Sequence, residues 1–312
     1  MLRYAAGRIF WFIPTLLLIT ALTFIILKLT PGSGVVTSGT QQITAEQIAR
    51  LERQYGLDKP LYQQFGIYVW KAVQGDFGTS MAYRPQSVGS IIARTFPISL
   101  RLGFYATFFA VVVGMTLGVL AAVNQNGFID YLSVTLAILF YSLPNFVMGF
   151  VLILLFVVWL PRQGLDLGFN IGGIEHWQDW VLPSIALGAA PLATIARYTR
   201  SSMIDVIRSD YVRTARAKGL SERGVILRHV LKNALIPVVT LIGPIFAAVG
   251  TGSFFVENVF NIPGMGPFFV TSMTSKDQFM ILAVVLVYGV FLAAMNLVVD
   301  LVYGVIDPRI RY

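Results

Sequence analysis

The stretch IFWFIPTLLLITALTFIILKL, residues 9–29, contains a single charged residue, Lys28. At 1.5 Å per residue a helix of this length spans about 30 Å, the hydrocarbon thickness of a bilayer. Arg3 and Arg8 precede it, and Pro31-Gly32 end it. A secretory signal shares the basic start, but its apolar core runs only about 7–15 residues. Here the core is longer and no small-x-small cleavage site follows, so the stretch reads as a retained membrane anchor.

Apolar blocks of similar length recur along the chain. With the first they give six spans: residues 9–29, 98–123, 131–160, 181–198, 234–256 and 279–302. Composition agrees with this reading. Hydrophobic residues make up 56% of the chain and charged residues 12%, against about 25% charged in soluble domains, and mean hydropathy is +0.73. The expected fold class is an all-α polytopic membrane protein, with residues 1–312 forming a single transmembrane domain. The longest polar region, residues 32–94, separates the first two spans. Amphipathic runs at 45–55 and 61–73 predict a small helical insert there, on the extracytoplasmic side. Gly114-x-x-x-Gly118 in the second span is the spacing that lets helices approach closely. Pro144 falls near the middle of the third span, and the run Gly250-Thr251-Gly252-Ser253 reads as helix packing in the fifth.

Orientation follows from where Lys and Arg fall. Residues 197–232 hold nine of them against Asp205, Asp210 and Glu222, whereas 161–180 hold only Arg162 and 257–278 only Lys276. Arg3, Arg8, Arg309 and Arg311 flank the first and last spans. With six spans, all the basic regions fall on one side, so both termini and the 204–232 loop are expected in the cytoplasm.

Several chemistries lack their residues. There is no cysteine, hence no disulfide framework or thiol nucleophile. His176 and His229 fall on opposite sides, which disfavours a histidine metal site or a serine protease built on Ser253. No Walker phosphate loop or H-E-x-x-H is present. The net charge of +8 is the positive-inside signature, not a nucleic-acid footprint. Lys28, Arg101 and Asp300 lie near span ends where they can snorkel, and no acid marks the midplane as an ion-coupled transporter would require.

Energy coupling is therefore expected from outside the chain, which directs attention to the basic loop. If residues 211–220 are helical, Tyr211, Ala215 and Gly219 share one face, with Arg213, Arg216 and Lys218 around it. A small-residue face between cations suits insertion into a groove of a partner protein. A helix lying on anionic lipid would present bulkier apolar residues, and Ala215 and Gly219 offer almost none.

These residues resemble the coupling motif of permease subunits of bacterial ATP-binding-cassette importers, specifically the dipeptide/oligopeptide permease B-type family. That motif places Gly after an Ala-rich stretch with three residues between, as Ala215 and Gly219 are placed in RTARAKG. The general importer consensus differs at Arg213-Thr214 and at Leu231-Lys232, and the peptide-permease branch is similar to this chain at both. LTPGSG (29–34), YGLDKPLYQQFGIYV (55–69), QGDFGTS (74–80), ARYTRSSMIDV (196–206), NIPGMGPF (261–268) and VVDLVYGVIDPRIRY (298–312) extend the resemblance over nearly the whole chain.

The resemblance implies a type I importer fold in a bacterial inner membrane and a non-enzymatic, binding-protein-dependent transport subunit. Its partners would be a C-type permease, two ATPase subunits, an extracytoplasmic substrate-binding protein and membrane lipid. ATP and magnesium would sit on the ATPases, with no cofactor on this chain. Coupling would fall to Tyr211, Arg213, Ala215, Arg216, Lys218 and Gly219. Gly75, Asp76, Gly78, Pro263, Gly264 and Gly266 would dock the binding protein, or simply form tight turns that need Gly and Pro. Di- or oligopeptides are the implied cargo. A nickel chelate, glutathione or an oligosaccharide remains an alternative, as does a channel that needs no ATPase.

Overall fold

The computed structural model describes residues 2–30, 53, 56, 58–83, 86–251 and 253–306. Among them it is helical, with no strand beyond one isolated bridge between Thr79 and Ser87. Of the amphipathic run at 45–55 only residue 53 is described, and Gly252 and the last basic residues lie outside the described residues.

The elements are α1 (Leu2–Leu29), α2 (Leu61–Val73), α3 (Val88–Val123), α4 (Phe128–Ser142), α5 (Asn145–Arg162), α6 (Gln178–Ile207), α7 (Asp210–Ala217), α8 (Glu222–Ala234), α9 (Ile236–Val249), α10 (Phe254–Val259), α11 (Met265–Ser275) and α12 (Gln278–Ile306). Among the described residues five helices are long and apolar enough to cross a membrane: α1, α3, α5, α6 and α12. A sixth crossing results if α8 and α9, bent by 49° at Leu235, count as one.

Four expected boundaries shift, each for a local reason. The second span begins at Val88, not 98. Ser87 caps it by accepting from the Ser90 amide, and Val88, Ile91 and Ile92 are buried against α12. The third span, expected unbroken over 131–160, divides at Leu143-Pro144. Leu143 is extended (ψ 127°), as the residue before proline prefers, and α5 restarts behind Pro144 with a π-helical stretch at Ile153–Trp159. The fourth runs from Gln178 to Ile207 instead of 181–198, carrying Pro183 and Pro191 within it. The fifth stops at Val249, and Ser253 caps the separate helix α10 by accepting from the Val256 amide. The fifth span is thus interrupted after Val249, while the expected packing is made at Gly250, which lies against Gly103.

The bundle axis is the contact of α3 with α6. Gly114 lies against Leu192 and Ile195, and Gly118 against Ala196 and Thr199, so the expected close approach is made. Gly188 of α6 returns the fit against Ala106, and Gly103 meets Val249 and Gly250. The mostly exposed α1 packs along α12, through Phe24 with Leu282 and an Arg8–Asp300 ion pair of 2.7 Å. Lys28 sits over the Phe24 ring and Arg101 over the Trp180 ring.

A Cβ added at Gly118 would lie 2.5 Å from Thr199 Cβ. Gly118→Val is therefore expected to cost about 1–3 kcal/mol through overpacking, read as a lowered melting temperature of the purified complex in detergent. Gly66→Ala, on α2 with nothing within 4 Å of the added carbon, is expected to leave melting unchanged or raise it.

Candidate functional site

The basic segment folds as a knuckle at one end of the bundle. Asp210–Ala217 is amphipathic: Val212 and Ala215 are buried, while Arg213, Thr214, Arg216 and Lys218 are exposed. The buried pair joins one apolar cluster with Ala122 of α3, Met203 and Ile204 of α6, and Val225, Val230 and Ala234 of α8. Further bonds brace the knuckle. Asn233 Nδ2 donates to the Tyr211 hydroxyl at 2.8 Å, Ser202 Oγ donates to the Ala234 carbonyl at 2.7 Å, and Arg216 grips Glu222 with two bonds of 3.0 and 2.6 Å. The Arg216 guanidinium holds the Glu222 carboxyl below the usual carboxylate range.

Two expectations for this segment are corrected. Its helix closes at Ala217, so Tyr211, Ala215 and Gly219 do not form one helical face. Gly219 instead ends the helix in the left-handed region (φ +81°), its amide bonded to the Arg216 carbonyl, a position glycine fills without strain. Ala215 is not on the free surface, because α7 turns its apolar side onto α8. Tyr211, Arg213, Arg216, Lys218 and Gly219 all remain exposed, and nothing lies within 4 Å of a Cβ added at Gly219.

The two candidate docking loops meet at the opposite end, around Asp277. This carboxylate, fully buried, accepts from Ser80 Oγ at 2.5 Å and from the amides of Met81 (2.8 Å), Ala82 (3.1 Å) and Met280 (3.2 Å). It fastens the QGDFGTS loop to the start of α12. Tyr83 packs on Phe268, with centroids 4.9 Å apart, joining that loop to the NIPGMGPF segment. Gly75 and Asp76 are exposed, Asp76 Oδ1 accepting from the Gly78 amide at 2.9 Å. Gly78 is a close approach, since its added Cβ would lie 3.2 Å from the Phe279 ring. Pro263 is exposed, but Gly264 and Gly266 are buried and cannot offer a docking surface.

Those two glycines wrap Glu257 of α10. Its Oε2 accepts from the Gly266 amide at 2.7 Å, and any side chain at Gly264 would overlap it. Ser99 of α3 hydrogen-bonds the same carboxyl and accepts from the Met265 amide at 2.8 Å. The Glu257 carboxyl is fully buried. A further buried acid, Asp130 of α4, is held by Arg200 of α6 in a fork–fork pair (2.5 and 2.7 Å) and accepts from the Asn126 amide. Sequence reasoning passed over Glu257, Asp277 and Asp130. Glu257 and Asp130 had one signal, an isolated acid beside strongly apolar residues with no charged neighbour to explain it, whereas Asp277 follows Lys276 and showed none. Among the described residues no three His, Asp or Glu side chains converge as a metal site requires.

Residues 114–312 match the family described as binding-protein-dependent transport system inner membrane component, and residues 1–103 match the N-terminal region of such membrane components. The chain is 40% identical to the oligopeptide transport system permease protein OppB of Haemophilus influenzae, with both chains covered in full. It is 42% identical to the dipeptide transport system permease protein DppB of Bacillus subtilis (100% of this chain, 98% of the relative) and 42% to the glutathione transport system permease protein GsiC of Escherichia coli, both covered in full. Among solved structures, a chain of an amino acid ABC transporter with histidines matches with a TM-score of 0.50 at 15% identity, over 68% of this chain and 92% of that one. That match bears on the fold alone.

Removing one partner of a buried ion pair leaves the other charge stranded. Arg200→Met is expected to cost about 3–5 kcal/mol, and Asp130→Leu combined with Arg200→Met is expected to recover most of it in thermal melting.

Proposed function

The chain belongs to the family of binding-protein-dependent transport system inner membrane components, and on that premise we propose that it is the B-type permease subunit of an ATP-driven peptide importer in a bacterial inner membrane. It pairs with a C-type permease to enclose a path, takes cargo from an extracytoplasmic binding protein, and is driven by two ATPase subunits that hold ATP and magnesium. The observation that carries the cargo is full-length identity of 40–42% to relatives whose names specify oligopeptide, dipeptide and glutathione. All three are short peptides.

Coupling is supported by how α7 is mounted. Its exposed cations and the open position at Gly219 face outward, while Val212 and Ala215 are locked into the ends of α3, α6 and α8. A close-packed cluster transmits displacement instead of absorbing it. A push on α7 from closing ATPases therefore moves the spanning helices with it, and ATP selects one of two global states through contacts only that state makes. On this reading the α7 end and both termini are cytoplasmic, and Gly75, Asp76 and Pro263 remain at the opposite end for the binding protein. Glutathione is a second reading, because GsiC and DppB are equally similar to the chain.

The test is reconstitution with the partner permease, the ATPases and the binding protein in proteoliposomes. ATP-driven uptake of labelled di- or oligopeptide is expected, and Gly219→Trp is expected to abolish uptake while ATP hydrolysis loses its response to peptide-loaded binding protein. Gly219→Asn tolerates the left-handed backbone and is expected to retain uptake. Full uptake by the Trp variant would overturn the coupling assignment, and uptake of glutathione alone would favour the second reading.

A further inference from the structure

Two interruptions of the spanning helices meet at one level of the bundle. α4 gives way to α5 at Leu143-Pro144, and α9 stops at Val249 before α10 restarts behind Ser253. Nδ2 of Asn145, the first residue of α5, reaches Oγ of Ser253 at 3.4 Å across the two breaks. Their depth is fixed by α3. Gly103, which packs on Val249 and Gly250, stands about 22 Å along a helix about 54 Å long. The breaks therefore lie within the bundle and not at its surface. Non-helical backbone at that depth is tolerated only where protein buries it or where it lines a water-filled cavity.

A cavity of about 630 Å³ adjoins both breaks, lined among others by Asn145, Ala248, Thr251, Ser253, Phe255 and Tyr288. Its polar groups gather at the breaks. The Tyr288 hydroxyl donates to the Thr251 carbonyl at 3.0 Å, and Ser253 Oγ accepts from the Val256 amide at 3.4 Å. Among the described residues no protein donor bonds the Asn145 carboxamide oxygen, and Phe255 is 61% exposed. No charged side chain lines the space.

We infer that this cavity is a water-filled stretch of the cargo path, where Asn145 and Thr251 offer hydrogen bonds to a peptide main chain and Phe255 and Tyr288 pack its side chains. The inference rests on the permease reading above. An uncharged lining suits peptides in particular. Their terminal charges shift position with chain length, whereas their amides recur at every residue, so a site that reads amides accepts cargo of varied length and side chain. A lipid acyl chain would offer no donor to the Asn145 carboxamide oxygen, whereas a peptide amide does.

The chain has no cysteine, so single replacements report cleanly. In the complete transporter in membrane vesicles, Thr251→Cys and Ala248→Cys are each expected to react with a membrane-impermeant, negatively charged methanethiosulfonate. Trapping a peptide cargo in the transporter is expected to slow that reaction several-fold. Leu18→Cys, on the exposed apolar side of α1, is expected to stay unreactive. Reaction at 251 and 248 only with a lipid-soluble maleimide, or labelling that peptide does not slow in a complex that transports peptide, would overturn the inference and leave the permease reading intact. Failure of the unmodified complex to import any peptide would count against the permease reading itself.

Discussion

In hydrocarbon no backbone N–H or C=O can be left without a partner, and the architecture is a series of answers to that constraint. Helices satisfy it along their length, so what characterises this chain is where helices stop. Three of the stops are furnished with a side chain: Ser87 at the head of α3, Ser253 at the head of α10, and Asp277 gathering three amides and a hydroxyl at the turn into α12. Another interruption, at Leu143-Pro144, sits beside Asn145 and the cavity. Polar residues in the membrane-embedded part are thus few, and they mark its joints.

The same economy divides the molecule into a stiff middle and two specialised ends. Along α3 and α6 the glycines bring two backbones together with little side-chain volume between them. At the basic end the α7 knuckle is pinned by one apolar cluster and by the Arg216–Glu222 clamp. The opposite end is organised by buried carboxylates that accept main-chain amides. One end presents exposed cations on a braced knuckle, the other holds loops in place.

How much of this was legible in the sequence depended on the kind of signal. Spans 9–29 and 279–302 announced themselves by length and hydropathy, and Gly114-x-x-x-Gly118 announced a close contact whose partner, α6, could not be named. The extension of α3 back to Val88 was hidden, because Gly89, Ser90 and Arg94 interrupt the apolar pattern and Pro97 falls within it. Pro144 was visible, but whether a membrane helix bends or breaks at proline depends on neighbours that sequence does not display. The basic loop pointed correctly to an exposed cationic segment. The inward turn of Ala215 escaped notice because alanine fits a protein groove and an internal contact equally well. Buried acids were the least legible: Glu257, Asp277 and Asp130 owe their roles to partners up to 197 positions away.

The pairing of α1 with α12 brings together helices far apart along the chain, through Arg8 with Asp300 and Phe24 with Leu282. Synthesis proceeds from the N-terminus, so α1 is made long before the helix it packs on. The stripe of α1 that carries Phe24 meets Leu282 only once α12 has emerged, which makes the α1–α12 seam a late-forming contact of the bundle.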